Sequence, residues 1–108
     1  MKKLDSEQLA GAAQRSFALA RDGRLTPAQQ SNMLTQGMRL RASLISALSA
    51  EFSDSLKQVD DANQQLTALN QWLTDTNTAI SQIADTIRQT AAAAALVEKV
   101  LKKAVPFL

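Results

Sequence analysis

Between Met38 and Ala104 the chain contains neither Gly nor Pro, and every seventh residue is apolar. The column reads Met38, Ile45, Phe52, Val59, Leu66, Leu73, Ile80, Ile87, Ala94 and Leu101. A seven-residue apolar period is the signature of a helix whose seam is covered by other helices. The companion column, three residues further on, is mixed: Arg41, Leu48, Ser55, Ala62, Leu69, Thr76, Ile83, Thr90, Val97 and Ala104. Leu44, Leu56, Trp72 and Val100 flank the seam and widen it. A stripe of that width fits a helical bundle better than a strict two-stranded coil.

The first 26 residues carry a shorter helical pattern. Asp5 or Ser6 can cap a helix whose apolar face is Leu9, Ala13, Phe17 and Ala20. Arg21-Asp22-Gly23 closes it. Thr26-Pro27-Ala28-Gln29 then opens another: Thr as cap, Pro at the first helical position, and Gln where a capping box needs Glu or Gln. The pattern therefore predicts an all-α protein, one helical domain over residues 1–108. It has a short helix over 5–22, a turn at 23–26 and a long heptad-patterned helix over 27–105, assembling into a bundle or coiled coil by oligomerisation. Unbroken, that helix would be roughly 115 Å long. Thr74-Asp75-Thr76-Asn77-Thr78 and Asp60-Asp61-Ala62-Asn63 are low-propensity segments where it could fold into a hairpin. The heptad phase runs through both without a slip, which favours the continuous helix.

Composition narrows the chemistry. The 108 residues are 45% hydrophobic and only 4% aromatic, with no Tyr, so Ala and aliphatic side chains must form the core. There is no Cys and no His, which removes disulfides, thiolate chemistry, the commonest general base and the commonest transition-metal ligand. Nine serines stand without a histidine and without a convincing lysine partner to activate them, and no phosphate loop, serine elbow or zinc pattern is present. Neither an enzyme nor a bound cofactor or metal is expected.

Charge is segregated. Residues 1–41 hold seven Lys or Arg against three acids, 42–87 hold one against six, and 88–108 hold four against one. Basic ends around an acidic middle favour antiparallel packing. Lys2 and Lys3 lead into Asp5 and Glu7 rather than an apolar segment, and no run of about 18 apolar residues exists, so a cytoplasmic location is expected, with export by a signal-less route as the alternative.

Several features could carry function. Leu96, Val97, Val100 and Leu101 oppose Lys99, Lys102 and Lys103, and the chain ends in Phe107 and Leu108. This basic amphipathic tail could meet a membrane interface or continue the helical seam. Asn63, Asn70 and Asn77 form a polar column beside the seam, able to fix register. Trp72 covers the seam. Arg15, Arg21, Arg24, Arg39 and Arg41 lack the interleaved aromatics of a nucleic-acid surface, and Glu51, Asp54, Asp60 and Asp61 diverge around a helix. The reading that follows is a non-enzymatic protein that assembles through its apolar seam, with itself or with a helical partner. The alternatives are a membrane-surface accessory protein of the kind used in secretion or phage processes, and a helical adaptor or inhibitor of a larger protein.

Overall fold

The computed structural model describes residues 1–105. It contains four α-helices: α1 (Ser6–Ala20), α2 (Pro27–Ala47), α3 (Lys57–Thr78) and α4 (Ile83–Leu101), with a 3₁₀ turn at Ile80–Gln82. The expected all-α architecture holds, but the single long helix over 27–105 is replaced by three, folded into a rod of 47 × 20 × 18 Å.

The first two helices begin where the sequence places them. Asp5 accepts the Gln8 N–H at 3.1 Å and caps α1. Thr26 accepts the Gln29 N–H at 3.2 Å while the Gln29 side chain accepts the Thr26 N–H at 2.9 Å, closing the capping box. The first break in the long pattern falls at residues 48–56, where no break is expected from the heptad phase. Ser49, Ser53, Asp54 and Ser55 crowd this segment. Such side chains compete with helix for the backbone, and Ser53 Oγ accepts the Ser55 N–H at 3.4 Å. Phe52 keeps the heptad phase although it is not helical, because it is wholly buried from the connection itself. The second break lies at Ala79, directly after the Thr74–Thr78 segment. Asp60–Asn63, by contrast, is inside α3.

Each helix packs on two others: α1 on α2 and α3, and α4 on α2 and α3. The diagonal pairs do not approach each other. The partners fix direction. Lys2 meets Asp60 and Asp5 meets Asn63 at one end, while Arg24 reaches the Asn77 carbonyl at the other, so α1 and α3 run parallel. Arg39 on α2 meets Glu98 on α4, and these two also run parallel. The molecule is thus two antiparallel hairpins side by side, joined by a connection that crosses the base diagonally.

That connection is held from both sides. Lys2 and Phe52 exchange backbone hydrogen bonds of 2.8 and 2.9 Å, and the Val105 N–H donates to the Glu51 carbonyl at 2.7 Å. The core above it is aliphatic, built on Leu9, Met33, Leu40, Leu66, Leu69, Leu73, Val59, Val97 and Val100. One polar ladder enters it: Thr76 and Thr86 share a hydroxyl–hydroxyl bond across α3 and α4, and Thr90 donates to the Thr86 carbonyl at 2.7 Å.

Candidate interaction surface

The ten residues of the heptad column divide by element. Val59, Leu66 and Leu73 on α3 and Ala94 on α4 are buried in the core, as is Phe52 in the connection. Ile80, Ile87 and Leu101 are half-buried against that core. Met38 and Ile45 on α2 face solvent, 59% and 65% exposed. Most of the apolar column is therefore covered by the chain's own helices, and the uncovered part lies on one helix.

The tail residues also divide. Val97 and Val100 are buried, Leu96 and Leu101 half-buried, and Lys102 and Lys103 exposed. The apolar face of this amphipathic helix is turned inward. Phe107 and Leu108 lie outside the described residues. No helix among the described residues is long and apolar enough to cross a membrane.

Two of the three asparagines use their side chains to hold the N-terminal segment within the chain. Asn63 Oδ1 accepts the Asp5 N–H at 2.8 Å, and its amide donates to the Lys3 carbonyl at 3.2 Å. Asn70 donates to the Gln8 carbonyl (3.0 Å) and to Gln8 Oε1 (2.6 Å), and accepts from Arg15 Nη1 (3.0 Å). The Asn77 carbonyl accepts from Arg24 at 2.9 Å. Asn63 and Asn70 thus tie α3 by their side chains to the start and middle of the parallel segment 3–15, while Asn77 contributes only its backbone carbonyl, to the turn after α1.

The arginines are mostly committed. Arg24 chelates Asp22, and that hydrogen bonding holds the Asp22 carboxyl down at about 2. Arg39 forms two bonds to Glu98, Nε to Oε2 at 3.1 Å and Nη2 to Oε1 at 2.6 Å, and a third to Gln36. Hydrogen bonding to Arg39 lowers the Glu98 pKa and raises that of Arg39. Lys2 neutralises Asp60. Among the described residues no group of acids is placed to hold a metal ion.

What remains is the outer face of α2. Leu34, Met38, Arg41, Ile45 and Leu48 follow one another at intervals of four, three, four and three, which puts them on one line along the helix. All five are exposed. The opposite side, turned into the bundle, is Met33, Gln36, Gly37, Leu40, Ser43 and Ala47. Four of the six inward positions of α2 are small or polar, while four of the five stripe positions are large and apolar. Beside the stripe, Ala10, Ala13, Gln14 and Phe17 of α1 and Arg41 and Leu44 of α2 line a shallow groove of about 300 Å³. Phe17 and Leu44, at its apolar floor, are half-buried. The sequence pattern contained Met38, Arg41, Ile45 and Leu48 as the start of the heptad, but not Leu34. It did not distinguish those residues from the rest, because periodicity marks a face without saying what covers it.

Comparison with protein families, curated proteins and solved structures finds no match for this chain.

Proposed function

We propose that this protein is a small helical interaction module that works by binding another protein along the outer face of α2, not by catalysis. The observation that carries the reading is the line of large apolar residues that α2 leaves exposed. Leu34, Met38, Ile45 and Leu48 are 46%, 59%, 65% and 63% exposed, while α2 turns Gln36, Gly37 and Ser43 inward. Scattered exposed apolar residues are ordinary on a protein surface. Four on one line form a patch on the order of 500 Å², a size that on a monomer commonly marks a binding surface. The half-buried Phe17 and Leu44 extend it into the neighbouring groove.

Site-specific photo-crosslinking in the native host tests the reading. A photoreactive residue at Met38 or Ile45 is expected to capture a discrete protein adduct. The same group at Gln64 or Ala68, exposed on α3, is expected to give none. Equal labelling from both faces would sink the proposal.

A further inference from the structure

Resting on that reading, we infer that the outer face of α2 receives an amphipathic helix of a different protein, one that places an Asp or Glu against Arg41, and not a second copy of this chain. The stripe is one helix wide. Leu34, Met38, Arg41, Ile45 and Leu48 form a strict two-column seam about 21 Å long, which is the footprint of one helix lying along another. The small side chains of Ala10 and Ala13 across the groove let that helix settle between α1 and α2.

Charge then selects the occupant. Arg39 and Arg41 are the two charged residues of α2. Arg39 points to the α4 side and is neutralised by Glu98. Arg41 stands in the middle of the stripe and forms no hydrogen bond or ion pair among the described residues. It is an uncompensated cation centred in an apolar seam.

The stripe is nearly symmetric about Arg41, with Met38 and Leu34 on one side and Ile45 and Leu48 on the other. Any two-fold pairing of copies that covers all four apolar residues therefore sets Arg41 against Arg41 of the second copy. This holds for parallel and antiparallel alignment alike. Burying two like charges together opposes association, whereas a carboxylate in that place converts the same contact into an attraction that fixes register. A carboxylate also suits the planar, two-pronged guanidinium.

The test uses the full chain and two synthetic 21-residue amphipathic peptides, both with Leu and Ile at three-four spacing. One has Glu and the other Lys at the central seam position. Isothermal titration or fluorescence anisotropy is expected to show the Glu peptide binding at least about tenfold more tightly than the Lys peptide. R41E is expected to reverse that order, and I45E is expected to abolish binding of both. Sedimentation of the unliganded chain is expected to give a monomer. Equal binding of the two peptides, lost in I45E, would overturn the charge inference while leaving the α2 surface standing. A dimer dissolved by I45E would overturn it in favour of self-association. Binding of phosphatidylglycerol vesicles with no binding of either peptide would overturn it in favour of a lipid surface. Binding of neither peptide, in a chain that stays monomeric, would overturn it outright.

Discussion

Gly37 lies against the ring of Phe17 so closely that a Cβ added to it would sit 2.9 Å from two of the ring carbons. Here α1 packs closely on α2, and glycine is used for its missing side chain rather than for an unusual backbone angle, since no glycine in the described chain has positive φ. Gly37→Ala sets two effects against each other. Helix propensity favours Ala by about 1 kcal/mol, and overpacking costs about 1–3 kcal/mol. The expected outcome is a net loss near 1 kcal/mol in urea unfolding. On a Phe17→Ala background the clash is gone, and the same substitution is expected to stabilise. A double-mutant cycle in which Gly37→Ala has the same sign in both backgrounds would contradict the contact.

Phe52 and Ile45 occupy the same heptad column but opposite environments. Phe52→Ala removes a fully buried ring from the base of the bundle. It is expected to cost about 3–5 kcal/mol. Ile45→Ala trims a side chain 65% exposed to solvent, and is expected to change stability by less than about 0.5 kcal/mol. Thermal or denaturant unfolding of the two variants reads the difference directly; comparable losses would mean that Ile45 is covered.

Ser16 is fully buried on α1, and its hydroxyl has no hydrogen-bond partner among the described residues. Burying an unpaired hydroxyl costs about 1–3 kcal/mol. Ser16→Ala removes that cost at almost constant shape, and is expected to raise the urea midpoint with an unchanged slope. A lowered midpoint would show that the hydroxyl is paired in solution.

The Arg39–Glu98 pair gives stability an acid limb. Hydrogen bonding to Arg39 lowers the Glu98 pKa below its ordinary 4.5. A carboxylate whose folded pKa is depressed contributes stability that is complete above its unfolded pKa, and that contribution is lost as pH falls through the folded value. Both side chains are about a third exposed or more, at 32% and 40%. Solvent screening therefore limits the contribution to below about 1 kcal/mol. Glu98→Gln is expected to flatten the stability profile below pH 4.5, with little change in its shape at neutral pH. Asp22, held at about 2 by Arg24, is expected to stay ionised to lower pH than Glu98's ordinary value would suggest. An unchanged acid limb in Glu98→Gln would remove the pair from the account.

Local chemistry was the legible part of this sequence. Asp5, Thr26, Pro27 and Gln29 announce two helix starts because capping is decided within four residues. Thr74 to Thr78, five poor helix formers in a row, marked a place where the chain could turn, but the unbroken heptad phase argued for continuing, and the five are themselves the last helical residues of α3. The break at 48–56 was hidden because Phe52 preserves the apolar phase while leaving the helix, so a loop residue impersonates a seam residue. The asparagines were visible as a column, but the helix they bind was not, since parallel α1–α3 packing is a property of the diagonal connection. In the sequence, Met38 and Ile45 on the outward stripe of α2 read as part of one long seam. Only the three-dimensional arrangement separates Met38 and Ile45, left in water, from Leu66 and Leu73, which the chain covers itself.

The crossing at Glu51 and Phe52 joins pieces from three distant parts of the chain. Lys2 bonds one edge of it and Val105 the other. Peeling either flanking segment away exposes the backbone of the crossing, and with it the seat of the Phe52 ring. The amide protons of Lys2, Phe52 and Val105 should therefore exchange with solvent as one cooperative unit, so that opening at the base propagates from one flank to the other.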